Sequence, residues 1–162
     1  RKKHGIERAA VVDFDVHHGN GTQAMFWADQ NLFFASTHQM PLYPGSGSVS
    51  EQGDHGNIVN EPLAPFSGSS EFRVAMTDRI MPALRLFAPE IIFISAGFDA
   101  HQADPLAQIN LVEADYSWVT NELLSIADEV CDGRIVSTLE GGYNLEALAN
   151  SVMAHVNCLM EA

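Results

Sequence analysis

The sequence predicts an α/β fold in which helices flank a parallel β-sheet, and two features indicate it. Short apolar runs typical of buried strands alternate along the chain with longer segments whose apolar residues recur at helical spacing. Several of the apolar runs end in polar or glycine-rich turns, as strands do at the carboxyl edge of a parallel sheet. With 162 residues, 46% of them hydrophobic, the chain is long enough for the core of one domain.

The first half of the chain contains two buried strands separated by a short helix, followed by a long loop. The loop is rich in Pro, Gly and Ser, and its length is more typical of a functional segment than of a simple connection. The elements predicted in this half are a strand over 9–16, a helix over 23–29 capped by Thr22, a strand over 31–38, the loop 39–54 and a short strand over 57–60.

The second half alternates three helices with two strands. Its strand over 90–96 is continuously apolar, which predicts a central strand covered on both faces. Before that strand, a helix is predicted over 69–87 and is interrupted near Pro82. After it come a helix over 112–131, opened by a capping box of Asn110 and Glu113, and a strand over 134–139. The last helix is capped by Asn144, and its inward-facing residues are Leu145, Leu148, Val152, Val156 and Leu159.

Charge and composition exclude several classes of protein. A net charge of −13 with only 8 Lys and Arg argues against direct nucleic-acid binding, and no apolar run predicts a membrane span. Cys131 and Cys158 are isolated and fit neither a zinc knuckle nor a disulfide framework, so we expect a cytoplasmic protein. The chain does not begin with Met and has few residues before its first strand, which predicts a portion of a longer protein. Its oligomeric state is left open.

Acidic and imidazole side chains cluster at the end of the first strand. In an extended strand Asp13, Asp15 and His17 would point to the same side, where they need a positive charge between them. Asp99 follows the strand over 90–96 and should lie at the same edge of the sheet. Asp15, His17 and Asp99 together offer three zinc ligands and leave a position open for water or substrate, which is typical of a catalytic site. The alternative is an ordinary polar strand end.

Three ordered motifs resemble the zinc-dependent histone deacetylase family, which includes bacterial deacetylase-like amidohydrolases and acetylpolyamine amidohydrolases. They are residues 13–22 (DFDVHHGNGT), 95–100 (SAGFDA) with 104–106 (DPL), and 139–144 (LEGGYN), and their wording is nearer the class II and bacterial branch. The resemblance covers essentially the whole chain. It implies the arginase/deacetylase-like fold, with residues 1–162 as the C-terminal portion of a single deacetylase-like domain that lacks its N-terminal part.

The resemblance also implies roles for individual residues. Tyr143 matches the catalytic tyrosine that hydrogen-bonds the acetyl carbonyl and the oxyanion formed from it. The other matches are Asp15, His17 and Asp99 to the zinc ligands; Tyr43, Leu106, Gly141 and Gly142 to the substrate channel; Asp13 and Asn20 to residues that orient the catalytic histidines; and Asp13, Asp15, His17, Ser36 and Thr37 to a potassium site.

The family hydrolyses amides with the help of a tandem His-His dyad that precedes the first of these motifs. Residues 1–12 contain only His4, so the chain departs from the family there and is expected to be inactive alone. We expect the longer protein to remove acetyl or other acyl groups from lysine side chains or polyamines. The alternatives are an inert fragment that binds a metal, acyl-lysine-like ligands or a partner chain, and an arginase-like ureohydrolase with two manganese ions.

Overall fold

The computed structural model describes residues 2–161, which form a five-stranded sheet in the order β3-β2-β1-β4-β5 with every neighbouring pair parallel. The predicted parallel α/β sheet is therefore confirmed. The strands are β1 (Ala9–Asp13), β2 (Leu32–Gln39), β3 (Ile58–Leu63), β4 (Ile92–Ala96) and β5 (Ile135–Leu139).

Five α-helices of the described segment flank the sheet, and a short 3-10 turn over Lys2–His4 precedes it. Over residues 2–161 no helix combines the length and apolar character that crossing a membrane requires. The helices are α1 (Asn20–Phe26), α2 (Ser69–Ala75), α3 (Met81–Phe87), α4 (Glu113–Cys131) and α5 (Leu145–Met160), and a π-helical turn over Met76–Ile80 joins α2 to α3.

The core lies where α2, α3, α4 and the loop after β1 meet the sheet. Val12, Phe14 and Val16 are buried, as the alternation predicted. The Phe14 ring packs against Phe98 and Tyr116 with centroid distances of 6.2 and 6.0 Å. These contacts anchor Phe14 and Phe98, which immediately precede Asp15 and Asp99, so the apolar core fixes the backbone from which both carboxylates project.

Strand β1 is shorter than predicted, and the way it ends shapes the candidate site. Asp13 Oδ1 accepts a hydrogen bond from the Asp15 backbone N–H at 3.0 Å, and Asp15 Oδ1 accepts one from the His17 N–H at 2.8 Å. These carboxylate-to-backbone bonds turn the chain out of the sheet after Asp13. The prediction of one strand face carrying Asp13, Asp15 and His17 is therefore wrong beyond Asp13.

Two helix starts also differ from prediction. Helix α1 begins at Asn20, because the Gln23 N–H donates to Gly19 O at 3.0 Å and closes the first turn ahead of Thr22. Helix α4 begins after Val112, whose N–H donates to Asp115 Oδ2 at 3.1 Å, so the capping box of Asn110 and Glu113 is wrong. Asn110 instead donates its side chain to Phe66 O at 3.1 Å. Helix α1 therefore begins before its predicted cap and α4 begins after its predicted cap, because other acceptors close the first turns.

Proline affects two elements in different ways. The break predicted near Pro82 is present, and the π-helical turn Met76–Ile80 places Pro82 in the first turn of α3, where its missing N–H is tolerated. Strand β3 runs later than predicted and includes Pro62, which its position at the edge of the sheet permits.

The last part of the chain is less covered than its apolar pattern predicts. Phe93 and Val136 are paired in register and stay 38% and 48% exposed, so residues 2–161 do not cover both faces of β4. Asn144 caps α5 as predicted, since its Oδ1 accepts the Ala147 N–H at 3.0 Å. The predicted inward stripe is wrong at Leu145 and Val156, which are 80% and 39% exposed, whereas His155 is buried.

We expect His155 to make the stability of this fold depend on pH. Its Nδ1 lies 2.6 Å from Thr120 Oγ1 and its Nε2 lies 2.8 Å from Ser137 Oγ, and burial lowers its pKa from 6.5. As the pH falls, His155 therefore binds a proton in the unfolded chain before it does so in the folded chain. Its contribution to stability is complete above pH 6.5, the ordinary pKa, and is lost as the pH falls from there towards the lower pKa of the folded state. The loss is at most about 1.4 kcal/mol per pH unit.

Urea unfolding at about pH 7.5 and about pH 5.5 checks this, because most carboxylates stay ionised over that interval. The unfolding free energy of the natural protein should fall more between the two pH values than that of His155→Gln. Equal decreases would contradict a buried neutral histidine.

Candidate metal centre and substrate cavity

Asp15, His17 and Asp99 converge at the carboxyl edge of the sheet although they are far apart in sequence. His17 Nδ1 lies 3.2 Å from Asp15 Oδ1 and 3.1 Å from Asp99 Oδ2. One ligand atom from each of the three residues can be chosen so that all lie within 4.8 Å of one another. The three residues that sequence analysis assigned to a metal therefore form one compact group of two oxygens and one nitrogen.

Backbone amides hold both carboxylates in place. Asp99 Oδ1 accepts the Val16 N–H at 2.9 Å, and Asp15 Oδ2 accepts the Gly141 N–H at 2.8 Å. These bonds join the turn after β1 to the turns after β4 and β5. Because amide donors leave the second oxygen of Asp99 free to face His17, the arrangement orients the carboxylates before any ligand binds.

Two glycines permit this close approach. A side chain at Gly97 would collide with Asp15, and one at Gly141 would collide with the Asp99 carboxylate. Gly141 was predicted only as a residue of the substrate channel, and Gly97 was quoted in its motif without a role. Both positions require the absence of a Cβ because the strand ends pack directly against the carboxylates.

The electrostatics of this group favour a bound cation. Burial, followed by the Asp15 carboxylate, raises the pKa of the Asp99 carboxyl to about 7. Burial, followed again by Asp15, raises the pKa of Asp13 well above its usual range. Neighbouring buried carboxylates resist ionisation because like charges repel in a poorly solvated site. A divalent cation between them would remove this penalty.

The donor set fits zinc. Zinc binds imidazole nitrogen and carboxylate oxygen at about 2.0–2.2 Å, so two ligands of a tetrahedral ion lie roughly 3.4 Å apart. The His17 distances to Asp15 and Asp99, 3.2 and 3.1 Å, are close to that value. Three protein ligands leave a coordination position for a small molecule, and the group borders an open cavity.

That cavity has a volume of about 620 Å³, and Tyr43, Leu106 and Gly141 of the predicted channel residues line it, whereas Gly142 does not. Tyr43, Leu106 and Tyr143 are 79%, 53% and 51% exposed, which suits residues at a rim. Partial burial, followed by Asp99 and Asp15, raises the pKa of the Tyr143 hydroxyl, so it stays protonated at neutral pH and can donate a hydrogen bond. Residues that sequence analysis did not assign also line the cavity: His18, Gly19, Thr22, Ser95, Leu139 and Glu140.

The other predicted site residues take different positions. Asp13 is buried and orients the turn that carries Asp15, whereas Asn20 begins α1 and is exposed. Ser36 and Thr37 are buried in β2, where Ser36 pairs in register with Asp13. Gly142 has φ +146°, and a side chain there would meet Leu148. The roles of Asn20 in orienting histidines and of Ser36 and Thr37 in binding potassium stay predictions.

A partly buried polar network holds the loop 39–54 together and ties it to helix α1. Glu51 accepts the N–H groups of Gly47 and Ser48 at 3.0 Å each and the side-chain amide of Gln23 at 2.6 Å. Although burial acts to raise it, hydrogen bonds from Ser48, Gln23 and Gly47 lower the pKa of Glu51 to about 2. This network positions the loop that carries Tyr43, and sequence spacing could not reveal its bond to Gln23, which lies 28 residues from Glu51.

By its fold and this group, the protein is an α/β protein with a candidate metal centre at the carboxyl edge of a parallel sheet. The chain matches the histone deacetylase domain over residues 1–159. It therefore belongs to the histone deacetylase family, as the three motifs predicted.

Individual relatives and a solved structure agree with this assignment. The chain is 44% identical to histone deacetylase 14, chloroplastic, of Arabidopsis thaliana, with 99% of the chain and 38% of that protein covered. It is 38% identical to the histone deacetylase-like amidohydrolase of Pseudomonas aeruginosa, with 89% of the chain and 39% of that protein covered. The crystal structure of the HDA15 HD domain superposes with a TM-score of 0.91 at 34% identity, with 99% of this chain and 46% of that chain covered. The chain thus spans less than half the length of these proteins.

Proposed function

We propose that this chain supplies the metal ligands and the oxyanion-binding tyrosine of a zinc-dependent amidohydrolase that removes acyl groups from amines. The observation that carries the proposal is the convergence of Asp15, His17 and Asp99 beside a cavity bordered by Tyr143. The chemistry that a bound zinc ion supplies is Lewis-acid polarisation of an acyl carbonyl and acidification of a water molecule.

Tyr143 would bind the carbonyl oxygen of the substrate. Its protonated hydroxyl can donate to an oxygen on which negative charge develops, and such preorganised donors stabilise the transition state. The turn that carries it is tied to the metal centre, because the Gly141 N–H donates to Asp15 at 2.8 Å. Tyr143 would therefore stay at the cavity that Asp15 and His17 also line, where these two residues and Asp99 would hold the metal.

The shape and charge of the cavity favour acylated amines. Tyr43 and Leu106 offer apolar surface for an alkyl stem, and Asp15 and Glu140 add negative charge that suits an amine product. Acetyl-lysine side chains and acetylated polyamines share this chemistry, and we propose both as the substrate class. We also propose potassium at Asp13, Asp15, His17, Ser36 and Thr37 and a cytoplasmic location.

We propose that the proton acceptor comes from sequence outside these 162 residues. His17 and His18 are the histidines that line the cavity within the described part of the chain, and His17 is committed to the metal. His18 has both nitrogens engaged, with Nδ1 2.8 Å from Ser46 Oγ and Nε2 3.0 Å from Gln23 Oε1, and burial lowers its pKa. This chain alone should therefore bind zinc without appreciable turnover.

Removal and replacement of the metal tests the proposal. The full-length gene product, assayed with an acetyl-lysine peptide and an acetylated polyamine, should lose its turnover after chelation and recover it with about one equivalent of Zn²⁺. Mg²⁺ serves as the control, because it prefers octahedral oxygen ligands and should not restore activity. Turnover that survives complete chelation would contradict metal dependence. Binding of acyl-lysine without turnover would favour the alternative of a catalytically inert protein that binds a metal and acyl-lysine-like ligands.

A further inference from the structure

We propose that Asp104 is a positioning residue that holds Tyr143 and Leu106 at the cavity. The inference rests on the proposed function, in which Tyr143 binds the carbonyl oxygen and Leu106 contacts the alkyl stem. Asp104 lies five residues after the metal ligand Asp99.

Both carboxylate oxygens of Asp104 are bound to the backbone of the cavity wall. Oδ2 accepts the Tyr143 N–H at 2.7 Å, and Oδ1 accepts the Leu106 N–H at 3.0 Å. Asp104 is 8% exposed, so these amides take the place of water around a carboxylate. Such charge-assisted bonds are stronger than bonds between neutral groups, and a buried carboxylate without them would be costly. One side chain thus joins two walls of the same cavity.

Tyr143 needs this anchor because two glycines precede it. Gly141 is fixed from both sides, since its N–H donates to Asp15 and its carbonyl accepts the Phe98 N–H at 2.8 Å. Gly142 has φ +146°, a conformation that glycine adopts readily and leaves readily. Beyond Gly142, the bond from the Tyr143 N–H to Asp104 fixes the backbone from which the phenol ring projects.

The loop that carries Asp104 is itself held firmly. The Asp104 N–H donates to His101 O at 2.8 Å, and the Ala103 N–H donates to His101 Nδ1 at 3.1 Å. Asn144, which follows Tyr143 and caps α5, donates its side-chain amide to Ala103 O at 3.2 Å and adds a second link between the two segments. A rigid support on one side and a flexible glycine turn on the other are what a positioning role requires.

Asp104→Ala in two backgrounds tests this role in the full-length, zinc-loaded gene product. A misplacement of catalytic groups by about 1 Å can cost about 100-fold in rate, so kcat should fall by about 10–100-fold in the natural background. In the Tyr143→Phe background the same substitution should change kcat by less than about 3-fold, because the hydroxyl that Asp104 positions is already absent. Asp54→Ala is the matched control: Asp54 accepts an exposed hydrogen bond from Trp27 Nε1 at 2.9 Å, far along the chain from Asp104.

Amide hydrogen exchange supplies a readout that does not depend on turnover. Asp104→Ala should accelerate exchange of the Tyr143 and Leu106 N–H groups by at least about 10-fold while zinc affinity stays within about 2-fold. If Asp104→Ala does not fold, Asp104→Asn serves instead: it keeps one acceptor oxygen and should show a smaller loss with the same dependence on Tyr143.

A loss of equal size in both backgrounds, or unchanged exchange of the Tyr143 amide, would overturn the proposal. If Tyr143→Phe alone leaves kcat unchanged, the proposed function fails at Tyr143. The exchange measurement still decides in that case whether Asp104 holds the turn.

Discussion

Tyr143→Phe should lower the kcat of the zinc-loaded, full-length gene product by about 100- to 1,000-fold, the effect typical of losing one oxyanion donor. The substitution removes the hydroxyl and keeps the ring that borders the cavity. Zinc affinity should stay within about 2-fold, since Tyr143 is not among the proposed ligands. Steady-state turnover of an acetyl-lysine peptide and titration calorimetry with zinc measure the two quantities.

Tyr116→Phe provides the matched control for that substitution. Tyr116 is fully buried, and its hydroxyl has no hydrogen-bond partner among the described residues. Its replacement should therefore leave kcat within about 3-fold, because no bond is broken. Unchanged turnover in Tyr143→Phe, or an equal loss in both variants, would remove Tyr143 from the reaction.

His17→Ala should lower zinc affinity by more than about 100-fold. Replacing a residue that only hydrogen-bonds a metal ligand already lowers metal affinity by about 10- to 100-fold, and His17 is itself a proposed ligand. His17 Nδ1 faces both carboxylates, so its loss leaves two carboxylate ligands and no nitrogen donor. The measurement is competition with a zinc chelator of known affinity. It can be made on the 162-residue chain as well as on the full-length gene product.

His55→Ala is the control for zinc binding, since His55 is an exposed residue outside the proposed ligand group. It should retain the affinity of the natural protein. Circular dichroism should show that both variants keep their helices, because His17 projects from a turn and not from the core. Tight zinc binding in His17→Ala would mean that the ion lies elsewhere.

The sequence was sufficient to predict the sheet and the edge at which the site lies. Apolar runs and helical stripes have different periods, so strands and helices could be separated, and parallel strands must present their carboxyl ends together. That reasoning placed Asp99 beside Asp15 and His17 across 82 or more residues, and the structure brings them together. The family motifs then assigned the resemblance that the family match confirms.

The finer details of the fold and the site depend on hydrogen bonds and tertiary contacts that residue patterns do not reveal. The strand was extended past Asp13 because alternation of residue types cannot reveal that carboxylates will bind the backbone two residues later. Leu145 fits an inward helical stripe, yet its position at the start of α5 leaves it exposed. Asp104 was visible in an Asp-Pro-Leu turn, but its bond to Tyr143 spans 39 residues and depends on tertiary structure.

The most direct test is the anomalous diffraction signal of the zinc-loaded protein at the zinc absorption edge. We predict a single peak per chain, about 2.0–2.2 Å from a carboxylate oxygen of Asp15, a carboxylate oxygen of Asp99 and Nδ1 of His17. A peak remote from any of these three side chains would contradict the account. Two adjacent peaks would instead support the two-metal ureohydrolase chemistry.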